Sequence, residues 1–363
     1  MTDYYLYTPG PTSVPEKVRK RMTQQLIYHR SDEFKKLFTR INKNLQYLFQ
    51  TSQPVLTLVS SGTGGMEATF VNLFSPNDTI ISVNNGKFSA RWVDMPRAFG
   101  LNVIELKLDW GEAPTPEQIL RLLRKHPQAK AVYFVHCETS TGTVTDVQAL
   151  ARIIRKNSSA LVCVDGVSSV GALELRFDDW GIDVCVTASQ KGLMIPPGLA
   201  FVALSRRAIR KISSSSLPKY YFDFKKILDS YIAGQTPWTP AISLLMGLDE
   251  SLRIIRNEGL EKIWRRHKIL AELLRSNIKN LGLEILSKNP SNSVTAVLLP
   301  HHIDSIEFHN HIQKEYGCIL GKGQGPYANK LFRIGHIGNV NKSDIKRIIT
   351  AIKRTLIDIG MKR

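Results

Sequence analysis

The chain has 363 residues, 43% of them hydrophobic and 22% charged, enough to bury one large core or two unequal ones without covalent staples. Its four cysteines (Cys137, Cys163, Cys185 and Cys318) have no paired short spacing, which excludes a disulfide framework and a cysteine zinc site. No apolar run reaches membrane-spanning length, Met1-Thr2-Asp3-Tyr4-Tyr5 shows no basic segment leading into an apolar one, and a soluble, cytoplasmic protein without membrane partners is expected.

Leu6-Tyr7-Thr8-Pro9-Gly10-Pro11 is too rich in proline to be helical and is expected to lie along the surface of another element, within an N-terminal arm of residues 1–14. Apolar runs at 55–59, 79–83, 102–106, 131–135, 161–164, 183–187 and 199–204 read as strands, and 65–74, 116–125 and 146–156 read as intervening helices. Such alternation predicts a large α/β domain, residues 15–257, built on a mainly parallel seven-stranded sheet covered on both faces. Beyond Thr239-Pro240 long helical patterns follow at 241–256 and 258–280, then strand-like pieces at 283–286 and 294–299, and a helix at 304–315. A last helix at 344–359 carries Ile345, Ile348, Ile349, Ile352 and Leu356 on one face, with Asn341 and Asp344 as its capping pair. These elements predict a smaller α+β C-terminal domain, residues 258–363.

Net charge is +18, and residues 205–363 hold 27 Lys and Arg against 13 Asp and Glu. The basic residues are scattered through amphipathic helices without the interleaved aromatics of a single-strand binder. Anionic small ligands are therefore expected rather than nucleic acid.

In an open parallel sheet, ligands bind beyond the carboxyl ends of the strands, so the residues after each apolar run are the candidates. Ser60-Ser61-Gly62-Thr63-Gly64-Gly65 is a glycine-rich turn opening into a helix. Its backbone N–H groups suit a phosphate, with the Ser61 and Thr63 hydroxyls as further donors, although it matches neither a Walker loop nor a dinucleotide fingerprint. Phe88, in Asn84-Asn85-Gly86-Lys87-Phe88, is either core packing or a platform for a planar ring. His136-Cys137-Glu138-Thr139-Ser140-Thr141-Gly142 is a dense polar cluster, either a capped loop or a set of hydroxyl donors. Asp165, in Val164-Asp165-Gly166-Val167, either caps a following helix or faces a cation such as a protonated pyridine nitrogen. Lys191, in Ser189-Gln190-Lys191-Gly192, ends a buried strand. Most strand-end lysines point at water, but partial desolvation favours a neutral amine able to add to an aldehyde.

In order, T-P-G-P-T (8–12), H-R-S-D-E-F (29–34), S-G-T-G-G-M-E-A, N-G-K-F, E-T-S-T-G, V-D-G-V-S-S, S-Q-K-G, T-P-W-T-P-A (236–241) and F-R-I-G-H-I-G (332–338) span nearly the whole chain. Together they resemble a class V aminotransferase of pyridoxal-phosphate fold type I, close to the serine/alanine–glyoxylate (or –pyruvate) branch. The resemblance implies pyridoxal 5'-phosphate as cofactor and a homodimer with shared active sites. It also implies ping-pong transfer of an amino group from a small amino acid to a small 2-oxo acid. Lys191 would form the Schiff base and shuttle the substrate proton, Asp165 would pair the pyridinium nitrogen, and Val167 and Phe88 would flank the ring. Thr139 would bond the phenolic oxygen, while Ser61, Gly62, Thr63 and Gln190 would hold the phosphate and Thr239 would reach the phosphate of the neighbouring subunit. Gly10 and Arg333 are implied in substrate binding. Arg333 would grip the α-carboxylate through the paired N–H groups that a guanidinium offers.

Ser89 stands where many relatives have glycine, Phe88 where some have tryptophan or tyrosine, and Trp238 replaces the commoner tyrosine or phenylalanine between two prolines, which leaves the amino donor open. Two other readings are a cysteine desulfurase-like lyase and a non-catalytic basic nucleic-acid-binding protein. The lyase would need Cys318 as nucleophile, yet Tyr316-Gly317-Cys318-Ile319-Leu320 is an apolar stretch that suits a structural cysteine better.

Overall fold

A computed structural model describes residues 4–360. After an edge strand β1 (Tyr5–Tyr7), the seven expected strands appear as β2 (Val55–Ser60), β3 (Thr79–Asn84), β4 (Asn102–Lys107), β5 (Ala131–Val135), β6 (Leu161–Asp165), β7 (Val184–Ala188) and β8 (Gly198–Leu204). They form one sheet in the order β2-β8-β7-β6-β5-β3-β4, parallel except for β8, which runs against both its neighbours.

Every residue of β5, β6 and β7 is buried, which explains their unbroken apolar sequences. Successive side chains go to opposite faces. Val132, Phe134, Val162 and Val164 join a core with the helices Asp32–Phe49, Pro116–Lys125, Val147–Asn157 and Ile242–Glu258. Tyr133, Cys163, Val184 and Val186 join another with Phe70 of helix Gly62–Leu73 and Trp92 of helix Arg91–Ala98.

A second sheet contains β9 (Val294–Leu298), β10 (Cys318–Lys322) and β11 (Leu331–Gly335), in the order β1-β10-β11-β9. Helix Leu260–Asn280 runs from one core to the other: Leu260 and Ile263 pack with the large sheet, whereas Leu274 and Ile278 pack with Phe308, Phe332 and Ile352 in a third core. The last helix, Lys342–Asp358, has the capping box of Asn341 and Asp344. Among the described residues no helix is long and apolar enough to cross a membrane.

Several expectations need correction. Of the N-terminal arm, whose residues 1–3 lie outside the described residues, Tyr5–Tyr7 does not merely lie on a surface. It pairs in parallel with β10, and Tyr7 is buried, its hydroxyl donating to Asp344 O at 3.0 Å. The helix expected from residue 65 starts at Gly62, because Ser61 caps it and the glycines form its first turn. Residues 283–286 form no strand, only a bridge between Ile285 and Val297. Helix Asp32–Phe49, which strand–helix alternation does not mark, is capped by Ser31 and buries Phe34, Leu37, Phe38, Ile41, Leu45 and Leu48 at helical spacing.

Candidate active site

The carboxyl ends of β2, β5, β6 and β7 and the amino end of β8 meet along one edge of the large sheet. A cavity of about 340 Å³ opens there, lined by Gly10, Ser61, Gly62, Thr63, Phe88, Thr139, Asp165, Val167, Gln190 and Lys191. Strand order brings them together: Asp165 lies in register with Val135 on one side and Val186 on the other, so the loops after β5, β6 and β7 are neighbours.

Lys191 is buried, and its Nζ donates to Pro9 O at 2.6 Å. Burial, helped by the positive charge of Arg333, pushes the amine down from 10.5 to about 8. The arm is pinned beside it by Thr12, whose N–H donates to Gln190 O at 3.1 Å and whose Oγ1 donates to Lys191 O at 3.0 Å. Gly10 has φ +148°, and a Cβ there would lie 2.5 Å from both Cε and Nζ of Lys191. Only glycine leaves this lysine its place.

Asp165 ends β6, and no helix follows it, so it is not an N-cap. Its Oδ2 accepts from Trp92 Nε1 at 2.9 Å and its Oδ1 from Val167 N at 2.9 Å. Burial raises the carboxyl to about 6, against the opposing effect of these two hydrogen bonds.

At one end of the cavity Ser61 caps helix Gly62–Leu73, and Thr63 Oγ1 accepts from Arg91 Nη1 at 2.7 Å. The Oε1 of Gln190 is buried without a partner. A Cβ on Gly62 would approach Val167 Cγ2 to 3.0 Å, so this glycine lets the helix start close to the Val167 side chain. Also lining the cavity, Thr139 Oγ1 and Ser168 Oγ share a hydrogen bond of 3.0 Å.

Arg333 stands on β11, only 7% exposed, with Nε donating to Lys322 O at 3.0 Å and Nη1 to Thr139 O at 3.1 Å. Burial lowers its guanidinium from 12.5 to about 10. Thr239 is not brought to this cavity; it is exposed and borders a separate cleft with Thr57, Tyr221 and Trp238. Cys318 lies in β10, its Sγ 3.3 Å from Tyr316 O, and burial pushes its thiol up to about 11, which makes it a poor nucleophile.

Four residues without an expected role also belong here. Trp92 holds Asp165, Ser168 bonds Thr139, and Arg91 bonds Thr63. Glu138 is a hub: its carboxylate accepts from the N–H groups of Phe88, Ser89 and Ser140 at 3.1, 2.7 and 3.0 Å and from Ser140 Oγ at 2.6 Å. It thereby ties the Phe88 loop to the Thr139 loop. Gly86 makes room for it, since a Cβ there would lie 2.6 Å from Glu138 Cγ and Cδ.

An amine lowered to about 8, a buried carboxylate, and the hydroxyls of Ser61, Thr63, Thr139 and Ser168 around one cavity fit the implied pyridoxal phosphate. Among the described residues no group of three or more His, Cys, Asp or Glu side chains could hold a metal ion.

The model of the aminotransferase class-V family matches residues 4–328. The chain is 37% identical over 359 residues to the soluble hydrogenase 42 kDa subunit of Anabaena cylindrica, covering 98% of this chain and 94% of that one. It is 35% identical over 370 residues to the serine–glyoxylate aminotransferase of Methylorubrum extorquens, covering 99% and 92% respectively. Among solved structures, alanine–glyoxylate aminotransferase from Nostoc sp. superposes with a TM-score of 0.93 at 30% identity, over 98% of this chain and 96% of that one.

Proposed function

The chain belongs to the class V aminotransferases, and from that premise we propose that it binds pyridoxal 5'-phosphate at Lys191 and moves an amino group from serine or alanine to glyoxylate or pyruvate in two ping-pong half-reactions. The observation that carries this reading is the pairing, in one cavity, of a buried amine lowered to about 8 with a buried carboxylate raised to about 6.

When bound, the cofactor supplies an electron sink for charge developing at the amino acid α-carbon. Asp165, held in orientation by Trp92 and the Val167 N–H, both of which favour its anion, would pair with a cationic ring nitrogen. Lys191 Nζ, positioned by Pro9 O, acts as the base that accepts the α-proton. Val167 and Phe88 would flank the ring, Thr139 would meet the phenolic oxygen, and Ser61, Gly62, Thr63 and Gln190 would take the phosphate, all of them lining the one cavity. Arg333 grips the substrate α-carboxylate, its Nε and Nη1 already fixed by backbone carbonyls, and Gly10 keeps the space beside Lys191 open.

Thr239 supports a dimer with shared active sites. It does not line its own cavity and sits beside Trp238, which stacks on the exposed Tyr221 with ring centroids 5.9 Å apart, a surface suited to a second copy. The free buried cysteines suit a reducing cytoplasm. We assign residues 1–14 to the arm, 15–257 to the cofactor domain and 258–363 to the small domain.

The test is a half-reaction screen in which amino acids are added singly to the pyridoxal form and conversion to the pyridoxamine form is followed by absorbance. Serine or alanine should convert it. No conversion by either amino acid, or sulfide release from cysteine that Cys318→Ala abolishes, would overturn the assignment. Steeply salt-dependent binding of DNA or RNA, with no spectral response to any amino acid, would favour the nucleic-acid reading instead.

A further inference from the structure

We propose that Arg91 is the cation of the phosphate end of the cavity. The proposal rests on the pyridoxal-phosphate reading above and adds a residue that this reading does not contain. A phosphate monoester carries about −1.5 to −2 charges at neutral pH. Ser61, Gly62, Thr63 and Gln190 are all neutral, so they supply hydrogen bonds and a helix terminus but no formal positive charge. Among the described residues two cationic side chains line the cavity, Lys191 and Arg91. Lys191 Nζ is engaged by Pro9 O and reserved for the reacting carbon.

Arg91 is placed for the role. It is the first residue of helix Arg91–Ala98, and its guanidinium lies over the Phe88 ring, 5.1 Å from the centroid. Its Nη1 donates to Thr63 Oγ1 at 2.7 Å. Among the described residues it has no carboxylate within ion-pair distance. A partly buried guanidinium without a protein counter-ion is costly unless a ligand anion completes it.

The Thr63 contact gives this charge a direction. A hydroxyl that accepts a hydrogen bond from a cation must turn its own hydrogen elsewhere, and the polarised O–H is a stronger donor. Thr63 lies in the first turn of helix Gly62–Leu73, where free backbone N–H groups already favour an anion. Arg91 therefore reinforces the anion site at this helix terminus. A second carboxylate on the substrate is the competing ligand for the same charge, and the link through Thr63 to the helix terminus favours phosphate.

The experiment compares binding of pyridoxal 5'-phosphate, pyridoxal and inorganic phosphate to the cofactor-free full chain by titration calorimetry, for the wild type, Arg91→Gln and Arg91→Lys. Arg91→Gln should weaken pyridoxal 5'-phosphate roughly 10- to 100-fold and inorganic phosphate likewise, and change pyridoxal affinity by less than about twofold. Arg91→Lys, which keeps the charge, should recover part of the loss. Equal weakening of pyridoxal and its phosphate would overturn the proposal, because it would show that Arg91 only supports Phe88. Unchanged phosphate affinity, with a loss confined to amino acids bearing a second carboxylate, would overturn it in favour of a substrate role. A wild type that binds pyridoxal 5'-phosphate no better than pyridoxal would defeat the cofactor reading itself, whatever Arg91 does.

Discussion

Replacing Lys191 by methionine should make the cofactor-free protein more stable at neutral pH, even though it removes the residue on which the proposed turnover depends. An unfolded lysine titrates near 10.5, whereas burial and the neighbouring Arg333 lower this one to about 8 in the fold. The folded state thus binds the proton more weakly than the unfolded chain. Below pH 8 both states are protonated and the fold carries the full penalty, which fades as pH rises from about 8 to 10.5. The difference corresponds to roughly 3 kcal/mol. Methionine fills similar space without charge but leaves Pro9 O without its donor, at a cost of about 1 kcal/mol. The net gain at pH 7 is therefore about 2 kcal/mol and should vanish by about pH 10. Urea unfolding of wild type and Lys191→Met, both stripped of cofactor, at pH 7 and pH 10 measures it. A variant less stable at pH 7, or a gain that does not change between the two pH values, refutes the desolvated-amine argument.

Trp92→Phe removes the indole N–H from Asp165 and with it a bond that favours the anion, so the carboxyl should titrate roughly 1–2 pH units higher. In the proposed role the carboxylate acts as the anion, so the acid limb of the half-reaction pH profile should move toward neutrality by that amount; an unmoved limb would exclude the role. Gly10→Ala forces a Cβ to within 2.5 Å of Lys191 and strains a residue at φ +148°, together roughly 2–5 kcal/mol. Its expected signature is a drop of at least about tenfold in the rate of the serine or alanine half-reaction, measured by stopped-flow absorbance. Arg333→Ala should weaken the apparent affinity for amino acids by ~2–5 kcal/mol, read from the concentration dependence of the same half-reaction. Unaltered affinity would remove Arg333 from carboxylate binding.

The large sheet was legible because β5, β6 and β7 are buried on both faces, and a strand with no solvent side has no choice but a continuous apolar sequence. The pairing of the arm was not legible for a related reason. Tyr5–Tyr7 is a short edge strand that runs from an exposed Tyr5 to a buried Tyr7, and three residues carry too little pattern to reveal a partner more than three hundred positions away in β10. Trp92 escaped notice because a tryptophan in a short helix looks like any core residue until the strand order brings Asp165 to its indole nitrogen.

From sequence alone it was determined that Asp165 ends a buried strand, that a glycine-rich helix start follows β2, and that hydroxyls cluster after β5; Lys191, expected at a strand end, lies in the turn that follows β7, which stops at Ala188. These are local facts, set by which residues can occupy a buried strand and which must end it. The tertiary structure decided which of those ends are neighbours and what each costs. Insertion of the antiparallel β8 between β2 and β7, the return of Pro9 and Gly10 over Lys191, and the Glu138 hub all join residues far apart in the chain. Burial acts on the assembled site as a whole, so the amine falls to about 8 and the carboxyl rises to about 6 only once the fold has closed around them.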